Sequence, residues 1–397
     1  MNSVYRIFGL PQDYQWGGRH FIAGLMYPET KSETVAEWWL GAHEAAPSII
    51  MTAQGPQPLH YAIKRRPRPL LGAAVLDRHG ERLPFLLKVL DVDQPLSIQV
   101  HPDATQACEG FERENQAGVA LDAPHRNYRD PFPKPEMMVA LSRFWLLHGF
   151  RQPAVIIADL EARPELAPLA DALRQTSPGA FFHDVLQWPR ARAAALFAPL
   201  LERLAAQPCA DMSNPDYWLA RLGGAHADDP GLMGLYLLNI VSMAPGEAIY
   251  QRAGLPHAYL AGRNIEIMAN SDNVLRAGLT RKHIDVDEMS RILDDAPIEP
   301  NVLQPVARAP GVLGFEHEAN DYFQLEQIEP GACQTISCVS RGPEILLVIE
   351  GQITLFANDE PCQLGQGESA YIPPGTTYHL WSGQSCVAYR ATTSKAI

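Results

Sequence analysis

The chain has 397 residues, of which 46% are hydrophobic and 19% charged, so it is long enough to bury more than one core. Its formal net charge of -13 argues against a general affinity for nucleic acid or for anionic membrane surfaces. The same charge does not exclude a small anionic substrate, because a phosphate is bound by a few local cations rather than by the overall field.

The six cysteines are scattered, without a C-x-x-C pair, which predicts reduced thiols rather than a disulfide framework or a structural zinc site. The first 20 residues lack the cationic start and apolar run of a signal peptide. No stretch approaches the roughly 20 apolar residues that a membrane-spanning helix needs. We therefore expect a cytoplasmic protein that does not enter a membrane.

Three kinds of sequence follow one another along the chain. The first 150 residues contain short apolar runs bounded by turn residues, such as Leu96–Val100, which predict strands of a sandwich or barrel. Residues 152–207 are rich in Ala, Leu, Arg and Glu, with apolar residues at helical spacing, so they are predicted to be helical. The turn-rich segment Ala225–Gly231 ends this block, and strand patterns return with Leu235–Met243. Two organisations fit this order: a helical insert in one β domain, or three consecutive domains.

A weak internal repeat relates Met243–Leu260 to Leu364–Trp381. Both segments contain a Gly-Glu pair followed by a further glycine, and their alignment places His257 on Tyr378. The repeat predicts two small barrels of similar design, of which the second has lost a possible ligand.

Residues 96–101 (LSIQVH) alternate strictly between apolar and polar side chains, which predicts a strand. Ser97, Gln99 and His101 would share its polar face. Such a face either lines a site or is exposed to solvent, and the pattern alone favours the exposed face of a half-buried strand.

Two later positions complete a possible metal site. Glu136 follows Lys134 in an extended Lys-Pro-Glu segment, which alone is typical of a surface ion pair. His257 lies in a Gly-Leu-Pro-His turn, where a lone histidine is more often structural. Together with the polar strand they supply one amide oxygen, two imidazoles and one carboxylate, a donor set suited to a divalent Lewis acid. The predicted metal ligands are Gln99, His101, Glu136 and His257.

The segment Asn264–Lys282 is dense in cations for so acidic a chain. An arginine can bind a phosphate or an enediolate through two hydrogen bonds, and a lysine supplies a point charge. A solvated loop explains the pattern equally well, so these residues alone leave the role of the segment open.

Five segments, taken in order, resemble the type I phosphomannose isomerases. They are AEWWLGAH (36–43), KVLDVDQPLSIQVHPD (88–103), NYRDPFPKPEM (127–137), GLPHAYL (254–260) and EIMANSDNVLRAGLTRKHIDV (266–286). The C-terminal EILLVIEGQITL is similar to the terminal cupin-type barrel of that family, and the helical block falls where the family has its helical domain. Two positions depart from the family pattern: Glu44, where many relatives carry a proline, and Tyr378, which replaces a histidine.

The resemblance implies a mainly β fold of two cupin-type (jelly-roll) β-barrels, with an α-helical domain inserted in the first. The split organisation is favoured because His257 must return to the barrel that holds Gln99. The expected domains are a catalytic cupin domain with the metal site (1–150 and 236–300), a helical insert (151–235) and a C-terminal cupin-like domain without metal ligands (301–397).

The resemblance also implies one Zn²⁺ per chain on the four ligands and the interconversion of mannose 6-phosphate and fructose 6-phosphate through an enediol. It further implies that Arg276 is essential for turnover. We expect the sugar phosphate to be the partner of a monomeric protein. The predicted catalytic residues are Arg276, Lys134 and Asp272, with Glu266 as a further candidate. The residues predicted to contact the substrate are Trp16, Ser97, Lys282 and Arg281. We expect Glu37, Trp39 and His43 to shape the cavity or support it.

Two other functions compete with this prediction. A sugar-binding cupin without activity would not need the complete ligand set together with Lys134 and Arg276. A metal-dependent oxygenase usually has two histidines in H-x-H spacing, whereas Gln99 in the first position favours a redox-inert metal.

Overall fold

We describe the protein from a computed structural model, which gives the structure of residues 4–26, 34–331, 333–358 and 360–394. This part of the chain is mainly β, in sheets of nine, ten and four strands, and helices are concentrated between residues 153 and 237. None of its helices is long and apolar enough to cross a membrane. All six cysteines lie in the described part and are free.

The first 150 residues form short strands and helices. The strands are β1 (Tyr5–Phe8), β2 (Leu10–Gln12), β3 (Glu37–Gly41), β4 (Ile49–Thr52), β5 (Gly55–Pro58), β6 (Phe85–Val92), β7 (Gln99–Val100), β8 (Glu136–Ala140) and β9 (Phe144–Phe150). The helices are α1 (Phe21–Met26), α2 (Leu59–Arg65), α3 (Pro67–Leu71), α4 (Ala73–His79) and α5 (Ala104–Gln116).

Helices then dominate up to residue 237. They are α6 (Pro153–Glu161), α7 (Ala170–Leu173), α8 (Pro178–Leu186), α9 (Arg190–Ala206), α10 (Pro215–His226) and α11 (Gly234–Leu237), with 3₁₀ turns at Ala167–Leu169 and Pro230–Met233. Several begin with proline, which has no N–H to leave unsatisfied in the first turn. The Ser177 and Asn214 side chains cap α8 and α10 by accepting backbone N–H hydrogen bonds.

Strands return after the helices. The first group contains β10 (Leu238–Met243), β11 (Ala248–Gln251), β12 (His257–Ala269), β13 (Leu275–Arg276) and the helix α12 (Val286–Ile292). The C-terminal group contains β14 (Val306–Ala309), β15 (Val312–Gly314), β16 (Phe323–Ile328), β17 (Thr335–Val339), β18 (Glu344–Glu350), β19 (Gln352–Ala357), β20 (Glu360–Gly365), β21 (Ser369–Ile372), β22 (Thr377–Trp381) and β23 (Val387–Thr393).

The ten-stranded sheet carries three of the predicted metal ligands, Gln99, Glu136 and His257, and His101 directly follows its strand β7. Its main path is β10-β9-β12-β6-β3-β2, and the long strand β12 also pairs with β7 and β8, which in turn pair with β13 and β11. The other two sheets have the orders β14-β15-β16-β23-β18-β21-β1-β4-β5 and β17-β22-β19-β20. Within the described residues, none of these hydrogen-bonded orders closes into a barrel.

The two large sheets share one apolar core. The N-terminal strand β1 pairs with β21 near the C-terminus, with Tyr5 opposite Tyr371. Leu87 and Val89 of β6 belong to the same buried cluster as Ile345 and Leu347 of β18. The N-terminal strands therefore contribute to the C-terminal sheet, and the two large sheets share a buried cluster.

The helical block packs on the face of the ten-stranded sheet opposite to the ligands. Ile98 and Val100 are buried in one cluster with residues of the helices, including Phe182 and Phe197. The predicted alternation thus has a structural cause: the apolar side chains of β7 contact the helices, and Gln99 lies on the other face.

Tyr378, which aligns with His257 in the repeat, lies in a buried polar network of the C-terminal sheets. Its hydroxyl donates to Glu344 Oε2 (2.5 Å) and accepts from Arg390 Nη1 (2.6 Å). The same guanidinium pairs with Glu326. A fixed guanidinium therefore supplies the positive charge in this network.

Candidate active site

Three adjacent strands bring Gln99, His257 and Arg276 side by side. In the antiparallel pairing of β12 with β7, His257 lies directly opposite Gln99. In the pairing of β7 with β13, Gln99 lies directly opposite Arg276. Directly opposed residues project from the same face of a sheet, so the three side chains share one face.

His101, Glu136 and His257 form a buried group of possible metal ligands, with their ligand atoms within 4.8 Å of one another. The Nε2 atoms of His101 and His257 lie 3.4 Å and 3.3 Å from the two carboxylate oxygens of Glu136. All three side chains come from different parts of the sequence, and Gln99 adjoins them through its pairing with His257. The structure thus gathers three predicted ligands and places the fourth on the neighbouring strand.

Backbone carbonyls fix the orientation of both imidazoles. Nδ1 of His101 donates to the carbonyl of Asn273 (2.8 Å), and Nδ1 of His257 donates to the carbonyl of Leu255 (2.9 Å). A neutral imidazole with its proton on Nδ1 presents a lone pair at Nε2. Both lone pairs therefore face the Glu136 carboxylate, and Nε2 of the buried His101 has no hydrogen-bond partner. A cation between these atoms would satisfy all of them, so the group fits a divalent metal.

The protonation states of His101 and Glu136 agree with this fit. Burial lowers the pKa of His101 to about 4, so the ring is neutral near pH 7. Burial alone would raise the pKa of Glu136, but the nearby Lys134 and His101 lower it well below its usual value. A neutral imidazole and an ionised carboxylate are the forms that bind a metal ion.

A cavity of about 350 Å³ opens beside this group. Lys134, whose Nζ is 3.2 Å from Glu136 Oε1, connects the cavity wall to the buried ligands. The wall also contains most of the residues predicted to act on or contact a substrate. The predicted ligand, catalytic and substrate residues that line the cavity are Trp16, Ser97, Gln99, Lys134, Asp272, Arg276 and Lys282. Glu37, Trp39 and His43, which are expected to shape the cavity, line it as well.

Two cations of the wall are free to bind an anion. Among the described residues, no carboxylate lies within 4.0 Å of Arg276 or Lys282, whereas most other buried or half-buried arginines are paired. Burial and then Arg129 lower the pKa of Arg276, and burial and then Arg276 lower the pKa of Lys282. Because like charges are held together there, an anionic ligand would relieve their repulsion.

Arg281 is the predicted substrate residue that the structure does not bring to the cavity. Its guanidinium binds the carboxylate of Asp228 with distances of 2.8 Å and 3.0 Å and also donates to the carbonyl of Ala225. The side chain is exposed. The ion pair with Asp228 holds Arg281 outside the cavity, whereas Lys282 lines it.

Lys88 is a site residue that sequence reasoning missed. Its buried ammonium lies 3.4 Å from Glu37 Oε2 and 3.2 Å from Glu266 Oε2, and it also lines the cavity. Burial would lower the pKa of Lys88, but Glu37 and Glu266 raise it, so the side chain is charged. A single lysine within the eight-residue buried strand FLLKVLDV was the signal that could have identified it.

The strand register explains how this group assembles. Lys88 of β6 lies directly opposite Trp39 of β3 and Glu266 of β12. The Tyr259 hydroxyl donates to Glu266 Oε1 (2.7 Å), and burial raises the pKa of Tyr259 well above its usual value. Trp39 donates its indole N–H to Glu37. A buried network of paired charges therefore supports the wall next to the metal ligands.

Known proteins share the fold and much of the sequence. Residues 4–153 match the profile of the phosphomannose isomerase type I catalytic domain, and residues 324–385 match the cupin domain. The chain is 38% identical to the mannose-6-phosphate isomerase of Salmonella typhimurium, over 93% of this chain and 94% of that protein. It is 37% identical to the mannose-6-phosphate isomerase of Escherichia coli, with the same coverage of 93% and 94%.

A crystal structure of the Salmonella typhimurium mannose 6-phosphate isomerase, bound to fructose 6-phosphate and zinc, has the same fold. It matches with a TM-score of 0.84 and 33% sequence identity, over 99% of this chain and 100% of that chain. Sequence and structure agree over almost the whole length of both proteins. The chain therefore belongs to the type I phosphomannose isomerase family.

Proposed function

We propose that the protein is a zinc-dependent isomerase that interconverts mannose 6-phosphate and fructose 6-phosphate. The observation that carries this proposal is the pair of imidazole lone pairs that converge on the Glu136 carboxylate, beside a cavity with two free cations. His101 and His257 would hold the zinc ion together with Glu136. Gln99, directly opposite His257 in the sheet, is the fourth ligand that we assign.

When bound, the zinc ion supplies a Lewis acid that stabilises negative charge on the substrate oxygens. An amide ligand in place of a second carboxylate leaves more positive charge at the site. The residues of this chain then have to bind the sugar phosphate, orient it and move its protons.

We assign different roles to the two free cations. Arg276 lies beside Gln99 in the sheet, so it is placed to stabilise the charge that develops on the enediolate oxygens. Lys282 is exposed and lies farther along the same segment, where it can bind the phosphate. Trp16 and Ser97, on the same wall, contact the sugar in this arrangement.

Asp272 and Lys134 are the groups that we assign to proton transfer. Glu37 and Asp272 are the two carboxylates that line the cavity, and Glu37 is already bound by Lys88 and Trp39. Asp272 therefore accepts the proton of the anomeric hydroxyl during ring opening, while Lys134 protonates the ring oxygen as the C–O bond breaks. The lysine, now neutral, takes the proton from C2 and returns it to C1, while protonated Asp272 gives its proton to O1 and accepts the proton of the O2 hydroxyl, so that the carbonyl moves from C1 to C2.

We also propose the finer fold and domain organisation on the basis of the family. In it, residues 1–150 and 236–300 form the metal-binding cupin unit, residues 151–235 a helical insert and residues 301–397 a second cupin-type jelly roll. The ten-stranded sheet combines strands from both sides of the helical block, which supports the insert. The pairing of β1 with β21 supports a close association of the two units.

A cytoplasmic monomer is the form that we propose for the working enzyme. Six free cysteines, three of them buried or partly buried in the C-terminal sheets, support a reducing compartment. Its substrate is a small sugar phosphate, and the net charge of -13 supports neither nucleic acid nor an anionic membrane as a partner.

Arg276→Ala tests the proposed function directly. We expect kcat for mannose 6-phosphate to fall by about 10²- to 10³-fold, the size of effect seen when one preorganised charge partner of a transition state is removed. The melting temperature should hardly change, because Arg276 has no ion-pair partner among the described residues.

Arg281→Ala is the matched control, since Arg281 pairs with Asp228 outside the cavity. We expect its kcat to stay close to that of the wild type. A coupled assay for fructose 6-phosphate, with thermal unfolding of both variants, makes the comparison. Equal losses in the two variants, or a normal kcat in Arg276→Ala, would contradict the assignment.

A further inference from the structure

His43, just after strand β3, is held in a single tautomer by its neighbours. The ring is buried, with 6% exposure, and its centre lies 4.8 Å from that of Trp39 in an edge-to-face contact. The backbone N–H of Ala45 donates to Nδ1 (3.2 Å), so this nitrogen carries no proton. Nε2 therefore carries the proton of the neutral ring and donates it to Asp272 Oδ1, 3.1 Å away.

The backbone of Asp272 is fixed by a separate set of contacts. Its N–H donates to Asp130 Oδ2 (2.7 Å), and the Ser271 hydroxyl donates to the other oxygen of the same carboxylate (2.8 Å). The buried Asn273 side chain donates to the carbonyls of Asp130 and Phe132. Because the main chain is held in this way, the hydrogen bond from His43 determines the rotation of the Asp272 carboxylate.

Without the hydrogen bond from His43, the Asp272 carboxylate could turn towards a second cavity. His43, Ser271 and Asp272 line both the active-site cavity and this second cavity of about 350 Å³. Cations on the wall of that second cavity could attract an unrestrained Asp272 side chain. They are Lys64, Arg82 and Arg129.

We propose that His43 is a positioning residue for the isomerase reaction: its neutral ring holds Asp272 by Oδ1 and leaves Oδ2 for the sugar. The inference rests on the proposed function and extends it, because His43 would orient the proton acceptor although it is not one of the metal ligands. Among the described residues, no hydrogen bond reaches Oδ2 of Asp272, and its side chain is half exposed.

The charged groups around Asp272 predict how its titration depends on His43. Lys134 faces it from the segment before β8, Lys88 from β6, Tyr14 from the chain after β2, and Asp130 from the loop that binds its N–H. Burial would raise the pKa of Asp272, but the hydrogen bond from His43 and the charges of Lys134 and Lys88 lower it.

Loss of the His43 donor would therefore raise the pKa of Asp272. A higher pKa leaves less of the ionised proton acceptor at any acidic pH. The acid limb of kcat should then move to higher pH, while the alkaline limb stays in place.

Two variants separate positioning from a general structural role. His43→Leu removes the N–H donor, whereas His43→Gln keeps an amide N–H at a similar distance along the side chain. We expect His43→Leu to lower kcat for mannose 6-phosphate about 10- to 100-fold, with a KM near the wild-type value. This range corresponds to the free energy that a hydrogen bond to a charged group contributes. His43→Gln should recover most of this loss and keep the acid limb of the wild type.

A double variant keeps the proposal testable if His43→Leu is less stable. In an Asp272→Asn background, adding His43→Leu should change kcat by less than about twofold, because two residues that act as a unit are not additive. Additive losses, or equal losses in His43→Leu and His43→Gln with an unmoved acid limb, would overturn the proposal. Wild-type protein that holds zinc but lacks isomerase activity would instead refute the proposed function itself.

Discussion

Glu136→Gln should lose its zinc ion and about 10³-fold or more of its kcat/KM for mannose 6-phosphate, which corresponds to several kcal/mol of transition-state stabilisation. The substitution keeps the volume of the side chain but removes the charge between His101 and His257, whose Nε2 atoms lie 3.4 Å and 3.3 Å from it. It also leaves the buried Lys134 without its carboxylate partner. Metal content after dialysis and the coupled isomerase assay measure the two effects.

Glu288→Gln is a suitable control for the loss of a buried carboxylate. Glu288 is buried and accepts a hydrogen bond from Tyr128 (2.7 Å), but it does not line the active-site cavity. The Glu288→Gln variant should bind zinc normally, even if its free energy of unfolding is lower than that of the wild type. If Glu136→Gln kept one zinc ion per chain and a normal kcat/KM, the assignment of Glu136 as a ligand would be wrong.

Lys88→Met should lower the free energy of unfolding by about 3–5 kcal/mol, the usual effect of removing one member of a buried ion pair. Lys88 is the cation between Glu37 and Glu266, and both carboxylates would remain buried without it. Urea denaturation of the variant and of the wild type measures the difference.

The pH dependence of this loss has a definite sign. Burial already raises the pKa of Glu266 in the folded protein, and Lys88 opposes this shift, so removing Lys88 should raise that pKa further above its value in the unfolded chain. The folded variant then binds more protons than the unfolded chain, so its stability falls as the pH rises. The destabilisation relative to the wild type should be larger at pH 8 than near pH 5.

Lys64→Met is the matched control for this experiment. Lys64 also pairs with a glutamate, Glu44, at 3.1 Å, but the two side chains are 54% and 80% exposed. Exposed pairs contribute about 0–1 kcal/mol, so the same substitution should have little effect there. A similarly small effect for Lys88→Met would mean that the charge of Lys88 does not stabilise the buried network.

Local sequence patterns predicted the strands and helices that position the site. The alternation in residues 96–101 predicted a two-faced strand. The strand in the structure is limited to Gln99–Val100, but Ile98 and Val100 do pack against the helical block while Gln99 faces the other way. The choice of Gln99, His101, Glu136 and His257 as one set also came from residue chemistry, and three of them form a cluster in the structure.

Other features depend on pairings between distant segments, which no local pattern reveals. Lys88 meets Glu266 because β6 lies beside β12, although 178 positions separate the two residues in the sequence. Arg281 and Lys282 are chemically similar neighbours, and only the position of Asp228 shows which one is withdrawn from the cavity. The pairing of β1 with β21 likewise joins the two ends of the chain.

The most direct test of the central claim is the metal content of the purified protein, measured together with its isomerase activity before and after chelation. We predict one zinc ion per chain, loss of activity in the metal-free protein and recovery when zinc is added back. Full activity on mannose 6-phosphate in a preparation verified to contain no metal would contradict the account.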